Sequence, residues 1–149
     1  MRRRAEKGGV ILDFYEVNQE EQIRRQKLAA KARRMIRENL PVEEEDKTSL
    51  TASYRSYFMQ VSFSPLHPLM VICLARSIPP SSSMKKWQVV NRLNLMSVLG
   101  SHTINEEVGC YSYRSTHWLD TELTLERFLE ILNRCVEEAS RGYETLKAA

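Results

Sequence analysis

The strongest structural signal in this sequence is an apolar stripe near its C-terminal end. Apolar residues recur there at intervals of three and four, the spacing that places side chains on one face of an α-helix. The stripe consists of Leu125, Phe128, Leu129, Leu132, Cys135, Val136, Ala139, Tyr143 and Leu146. Thr121 or Thr124 is placed to cap the helix at its N-terminus. Because a helix with one apolar face must bury it against another layer, the remaining residues must supply a sheet or further helices.

The middle of the chain predicts that this layer is an antiparallel sheet. Residues 54–63 alternate between apolar and polar side chains, which is typical of a strand with one wetter face. Residues 69–78 are nearly all apolar and predict a central strand, joined to the first by the proline-bracketed turn 64–68. A second hairpin is predicted from residues 101–104 and 110–119.

Two more helices are expected. Residues 19–40 carry an apolar stripe that Pro41 ends, and residues 84–99 are apolar on two sides, which predicts a helix buried on more than one face. The acidic residues of 42–49 predict a solvated linker between the first helix and the sheet. The sequence therefore predicts an α+β fold, a mainly antiparallel sheet with helices packed against it, in the order α-β-β-α-β-β-α.

A chain of 149 residues is about the size of one domain. We expect an N-terminal arm over residues 1–18 and a single α+β domain over 19–149. Residues 10–17 are either a short strand or an extended arm that docks on a neighbour. No apolar run approaches the roughly 18 residues of a membrane helix, and no signal-peptide pattern follows the N-terminal arginines. These observations predict a cytoplasmic protein with no membrane insertion.

The sequence contains no recognisable motif for catalysis or cofactor binding. Its five glycines form neither a dinucleotide-binding loop nor a P-loop. Its three cysteines have no CxxC spacing, which argues against a disulfide framework or a zinc knuckle. His102 and His117 flank one predicted turn, but two histidines without a carboxylate are a weak zinc signal. We therefore predict no metal, no cofactor and no enzymatic activity.

Two other patterns of reactive groups favour ordinary structural roles. Cys110, His117 and Asp120 could supply a nucleophile, a base and an acid, but residues 110 and 117 fall on opposite faces of one strand. Adjacent carboxylates such as Glu137 and Glu138 are expected on the outer face of the last helix, where they solvate the protein.

The first helix carries a basic stripe that permits a second interpretation. Cations recur at steps of three, four and three at Arg24, Lys27, Lys31 and Arg34. Residues 1–40 contain eleven Lys or Arg against six Asp or Glu, whereas the residues from 51 onward are nearly balanced. Such a stripe, with the arm Arg2, Arg3 and Arg4, can lie along a phosphate backbone or an acidic protein. Nucleic-acid binding is thus the alternative function.

Two asparagines stand inside the second predicted helix, where asparagine is unfavourable. Asn91 and Asn94 lie three residues apart on the face that carries Trp87. If they are buried, their amides need hydrogen-bond partners, such as the backbone of a sheet edge or a loop. We interpret both as structural polar anchors.

Three segments together resemble the YbjN-like proteins of bacteria, which are described as sensory transduction regulators. The segments are residues 90–94, VNRLN; residues 109–114, GCYSYR; and residues 123–128, LTLERF. The resemblance covers about residues 50–147. It implies the fold of type III secretion chaperones, α-β-β(-β)-α-β-β-α, a non-enzymatic role, protein partners and a tendency to form homodimers.

The first functional hypothesis is therefore a dimeric regulator or chaperone-like protein that holds a segment of another protein. Aromatic side chains often anchor protein interfaces. The candidates for partner binding are Tyr54, Tyr57 and Phe58 on the first predicted strand, with Tyr111, Tyr113 and Trp118 on the second hairpin.

Overall fold

The computed structural model describes residues 18–64, 66–80 and 84–149. The expectations for residues 10–17 and for Arg2, Arg3 and Arg4 lie outside these ranges. The elements are α1 (Gln19–Asn39), β1 (Val42–Glu45), β2 (Ser49–Tyr54), β3 (Tyr57–Phe63), β4 (Leu69–Ser77), α2 (Met84–Met96), β5 (Gly100–Asn105), β6 (Cys110–Trp118) and α3 (Leu125–Ala148).

The strands form one antiparallel sheet in the order β1-β2-β3-β4-β6-β5. The central pair, β4 and β6, runs in continuous register from Leu69 opposite Trp118 to Ser77 opposite Cys110. The nearly all-apolar segment thus lies in the middle of the sheet, as the sequence predicts. The predicted α+β class, a mainly antiparallel sheet with helices packed against it, is confirmed.

Helices α1 and α3 reach the same face of the sheet. The side chains of β3 alternate between buried and exposed, and Tyr57 and Phe63 belong to the buried set. The hydroxyl of Tyr57 lies 2.8 Å from Ser140 Oγ on α3, and the guanidinium of Arg33 on α1 lies 6.0 Å from the centroid of the Phe63 ring. The predicted C-terminal stripe is confirmed as the face of α3 that enters the core, and Thr124 accepts from Arg127 N at 3.1 Å as its N-cap.

The structure has four strands between α1 and α2, where the sequence shows only two clearly. The predicted strand 54–63 is divided by a two-residue turn at Arg55 and Ser56, whose φ angles are 47° and 67°. Positive φ at both central positions is the geometry of a tight hairpin turn. Tyr54 therefore ends β2 and pairs with Tyr57 at the start of β3.

The predicted acidic linker is also wrong, because its first half is the edge strand β1. Val42 pairs with Ala52 and Glu45 pairs with Leu50 of β2, across an irregularity in register. The carboxylate of Glu45 is held by Arg33 and Arg37 on α1 at 2.8 and 2.7 Å. An edge strand tolerates such a charged sequence, because one of its sides faces solvent.

Candidate functional site

Helix α2 and the turn after it expose a group of large apolar side chains. We call this group the α2 apolar surface; it comprises Met84, Trp87, Leu95, Met96, Val98 and Leu99. Leu95 is 80% exposed and Val98 is 87% exposed. The helix buries only Lys86, Val89 and Val90. The prediction of a helix from 84 to 99 buried on more than one face is therefore wrong: the helix ends at Met96 and presents one apolar side to solvent.

A buried carboxylate holds the turn that follows α2. Glu138 on α3 accepts hydrogen bonds from the backbone N–H groups of three consecutive residues, Val98, Leu99 and Gly100, at 2.8, 3.1 and 3.0 Å. The hydroxyl of Tyr113 donates to the same carboxylate at 2.5 Å. The expectation that Glu138 solvates the outer face of α3 is wrong, because these four donors replace water around its charge.

The environment of Glu138 keeps it ionised. Burial raises the pKa of its carboxyl group, but the hydrogen bonds from Tyr113 and from the turn outweigh burial and leave the pKa below the ordinary value of 4.5. Burial, together with the bond to this carboxylate, raises the pKa of Tyr113 far above its ordinary value. The pair thus consists of a charged acceptor and a neutral donor at neutral pH.

His102 on β5 packs under the same turn. Its Nδ1 lies 2.7 Å from the hydroxyl of Tyr111, and its Nε2 lies 2.9 Å from Ser97 Oγ. Burial lowers the pKa of His102. The ring packs against Gly142 on α3, where a Cβ atom would approach Cε1 and Nδ1 of the imidazole to 2.5 Å. A glycine at this point of α3 is therefore what allows β5 to pack so close to the helix.

The two asparagines of α2 are both exposed, and they differ in that Asn94 makes hydrogen bonds to the sheet. Asn94 Oδ1 accepts from the backbone N–H of His102 at 2.6 Å, and Asn94 Nδ2 donates to the carbonyl of His102 at 2.9 Å. One amide thus satisfies both backbone groups of a residue on the edge strand β5, as a neighbouring strand would. Asn91 is exposed on the solvent side of the helix.

The six candidate aromatic residues divide between the core and the surface. Tyr57, Tyr111 and Tyr113 are buried, so the structure corrects their assignment as partner contacts: they fill the space between the sheet and α3. Tyr54 is partly buried and donates to Asn133 Oδ1 at 2.7 Å. Phe58 and Trp118 are exposed, and Trp118 reaches 72%.

Phe58 and Trp118 lie on the sheet face opposite the helices, which no described element covers. We call it the open sheet face. Phe58 pairs with Ala75 of β4, and Trp118 pairs with Leu69 of the same strand, six residues away and hence roughly 20 Å distant. Between them, β4 contributes an apolar stripe of half-buried side chains: Val71, Cys73 and Ala75.

The basic stripe of α1 is partly neutralised by contacts within the chain. Arg24 pairs with Glu21 at 2.8 Å and donates to the carbonyl of Asp120 at 2.8 Å, and Lys31 lies 3.4 Å from Glu122. Lys27 and Arg34 are exposed. The four cations therefore do not form one continuous charged strip.

The structure places Cys110, His117 and His102, the candidates for a catalytic or zinc site, apart from one another. Cys110 lies beside Ser112 on the open sheet face, whereas His117 faces α3 and lies 2.8 Å from Ser115 Oγ and 3.8 Å from the sulfur of Cys135. His102 pairs with Tyr113, not with His117.

Burial raises the pKa of the Cys135 thiol and lowers that of His117, so neither group is charged at neutral pH. Within the described ranges, no three His, Cys, Asp or Glu side chains converge to hold a metal ion.

The same described ranges include no helix that is both long and apolar enough to cross a membrane.

The described helices and the six-stranded antiparallel sheet define a class of fold, and comparison with solved structures identifies that class. No protein-family model and no curated protein matches the sequence. YbjN from E. coli superposes with a TM-score of 0.61 at 10% identity, covering 80% of this chain and 91% of YbjN. The chain therefore has the YbjN-like fold.

Two chaperone structures share this fold. A chain of the HopA1–SchA chaperone–effector complex gives a TM-score of 0.55 at 12% identity, covering 90% of this chain and 100% of that chain. The type III secretion chaperone SycH of Yersinia pestis, solved with a fragment of YscM2, gives 0.53 at 13% identity, covering 76% and 98%. The particular fold is thus that of the type III secretion chaperones, as the sequence resemblance implies.

Proposed function

We propose that this protein is a non-enzymatic, chaperone-like module that binds a segment of another protein and acts as a homodimer. The observation that carries the proposal is a pair of surfaces that no other part of the described chain covers, the α2 apolar surface and the open sheet face. Structures of the same fold have been solved as a chaperone–effector complex and as a chaperone with a protein fragment, which supports a protein-binding role.

The α2 apolar surface is suited to a second copy of the chain. Homodimer interfaces are more apolar than other interfaces, and a twofold contact uses the same patch on both subunits. Helix α2 has no acidic residue, and it exposes long apolar side chains such as Leu95 alongside polar ones such as Arg92. Glu138 fixes the adjacent turn and thereby holds Val98 and Leu99 in place, so ordering them costs little entropy on association.

The open sheet face is suited to the partner protein. It is partly apolar, with aromatic side chains at both ends, and polar side chains flank its central stripe: Gln60 and the exposed Arg114 pair with Cys73 from its two sides. Phe58 supplies the anchor at one end and Trp118 the anchor at the other. Exposed aromatic residues of this kind dominate the energy of many protein interfaces.

The dimer is tested by the double substitution Leu95→Asp with Val98→Asp, which places two charges in the proposed contact. We expect light scattering to give twice the chain mass for the unaltered protein and the single-chain mass for the variant. Val108→Asp is the matched control, because Val108 is an exposed residue in the β5–β6 turn. A monomeric unaltered protein, or a variant that still dimerises, contradicts the proposed contact.

Protein binding is tested by affinity capture from lysate of the source organism, with and without nuclease treatment, using the unaltered chain, Phe58→Asp and Val108→Asp as baits. We expect one protein to be retained in near-equal amount by the first and third baits and to be depleted about tenfold with Phe58→Asp. Retention that disappears on nuclease treatment would favour the nucleic-acid alternative. Equal retention by all three baits would contradict the role of the open sheet face.

A further inference from the structure

A groove lies between the two surfaces described above. It has a volume of about 470 Å³ and is bounded by the end of β6, the β6–α3 connection and the first half of α3. Leu99 of the α2 apolar surface forms one border and Trp118 of the open sheet face forms another. The interior is apolar where Leu123 and Ile131 line it. A bound segment in this groove would touch both surfaces.

Two guanidinium groups give the groove a positive charge. Arg127 and Arg134 both line it, and their side chains are 63% and 64% exposed. They share one carboxylate, Glu130, at 2.5 and 3.3 Å. Because one carboxylate balances only one guanidinium, the pair retains a net charge of one. Glu130 lies three residues after Arg127 and four before Arg134, the spacing at which ion pairs form along one face of a helix.

The other ionisable side chains that line the groove do not cancel this charge, and the ionised carboxylate of Glu138, which accepts from the N–H of Leu99 at the border, is buried among its own donors. Glu122, which also lines the groove, lies 3.4 Å from Lys31 of α1 and is balanced by that cation. Burial lowers the pKa of His117, and the positive charge of Arg127 lowers it further. The imidazole is therefore neutral at neutral pH. The groove therefore combines apolar lining residues with a net positive charge from two exposed guanidinium groups.

We infer that the groove takes a protein segment that carries an apolar side chain next to an aspartate or glutamate. This inference rests on the proposed function and specifies the chemistry of the partner. The apolar side chain packs between Trp118 and Ile131. The neighbouring carboxylate accepts hydrogen bonds from the guanidinium of Arg127 or Arg134, a geometry that arginine provides in bidentate form.

The test is a selection of short random peptides on the full-length chain, followed by measurement of the enriched peptides by fluorescence. The variant Trp87→Phe leaves Trp118 as the sole tryptophan, since the sequence contains only two. We expect enriched peptides to pair an aromatic or aliphatic residue with an acidic one. Their binding should shift the emission of Trp118 to the blue, because the indole then loses its contact with water.

Charge reversal tests the assignment to the groove. Arg127→Glu should weaken binding of the enriched peptides about tenfold and should change the selected chemistry from acidic to basic. Arg141→Glu is the matched control: it makes the same charge change at an exposed position of α3 that does not line the groove, and binding should be unchanged. All these positions are exposed, so the variants should fold.

The outcomes separate this inference from the proposed function. Peptides that bind equally well to the unaltered chain, Arg127→Glu and Arg141→Glu overturn the groove assignment and leave a protein-binding role intact. Enrichment of basic peptides on the unaltered chain overturns the inferred chemistry. A selection that enriches no peptide, together with no protein captured by the open sheet face, overturns both.

Discussion

The buried side chain of Glu138 positions the exposed turn that follows α2. Its carboxylate gathers three backbone N–H groups and the hydroxyl of Tyr113, and it lies under the most exposed apolar residue of the turn, Val98. The charge is stabilised because each donor points at it, in the way that a loop of backbone N–H groups binds an anion. The exposure of the α2 apolar surface therefore depends on a buried polar contact.

Replacement of Glu138 by glutamine should lower the free energy of unfolding by about 2–3 kcal/mol at neutral pH. Glutamine has an NH₂ group in place of one carboxylate oxygen, so this group would face the N–H donors of the turn instead of accepting hydrogen bonds from them. The difference between the two proteins should depend on pH. The pKa of Glu138 in the folded state lies below its ordinary value of 4.5, so the carboxylate stabilises the fold above that pH. The stabilisation is lost as the pH falls through the lower, folded-state pKa.

The measurement is urea unfolding of both proteins across the acidic range. We expect a constant difference in unfolding free energy between pH 6 and 7, and a decreasing difference below about pH 4.5. Comparing two proteins removes the contributions of Glu21 and Glu45, whose pKa values are lowered to about 2 by arginine partners. A difference that is independent of pH would show that the charge of Glu138 is not what holds the turn.

At the scale of secondary-structure elements, Asn94 joins α2 to the edge of the sheet. Asn94→Ala should destabilise the protein by about 1–2 kcal/mol, because both backbone groups of His102 lose their partner. Asn91→Ala is the natural control, since Asn91 lies on the same helix and is exposed; it should change stability by less than about 0.5 kcal/mol. Hydrogen exchange of the His102 amide should accelerate in the first variant only. Equal effects of the two substitutions would contradict the role of Asn94.

The sequence predicts best those helices and strands whose apolar residues follow a regular pattern and whose ends carry a clear signal, such as an N-cap. The stripe of α3, its N-cap at Thr124 and the apolar strand β4 are all visible in the sequence, because burial on one or both faces dictates the residue types. The turn at Arg55 and Ser56 is not visible, since neither residue is the glycine or asparagine that favours positive φ. Strand β1 is hidden for a similar reason: its glutamates oppose strand formation, and only pairing with β2 and with two arginines accounts for it.

The candidate surfaces were harder to predict than the fold. Aromatic residue type alone does not show which side of a strand faces the helices, so it does not place Tyr111 and Tyr113 in the core, where they lie. The position of Glu138 does carry a signal in the sequence: it lies three residues after Cys135 and four before Gly142, within the face of α3 that packs on the sheet. A carboxylate at such a position requires buried donors.

At the scale of the whole molecule, the described helices cover one face of the sheet and no described element covers the other, and the three cysteines differ in exposure accordingly. Cys73 and Cys110 are half-buried on the open sheet face, whereas Cys135 is buried between the sheet and α3. Burial raises the pKa of both the Cys73 and the Cys135 thiols, so the expected difference in labelling depends on access to the sulfur, which is half-buried in Cys73 and buried in Cys135. We expect a thiol reagent to label Cys73 and Cys110 in the native protein and Cys135 only on unfolding.

Mass spectrometry after timed labelling checks this prediction, and Cys135→Ala confirms which thiol is slow. Addition of the partner should protect Cys73, because it lies in the central stripe of the open sheet face. Rapid labelling of Cys135 in the native protein would contradict the position of α3 over the sheet.

The amide of Asn94 also has a consequence for how copies of the chain can join. Among the described residues, the sheet ends at β1 on one side and at β5 on the other. The N–H of Gly100 is bonded to Glu138, and both backbone groups of His102 are bonded to Asn94, so β5 has little left to offer a further strand. Head-to-tail polymerisation requires the β1 edge of one molecule to meet the β5 edge of the next, and we expect the occupied groups at the start of β5 to disfavour that junction. A contact between two β1 edges closes on itself after two chains and cannot extend into a fibre.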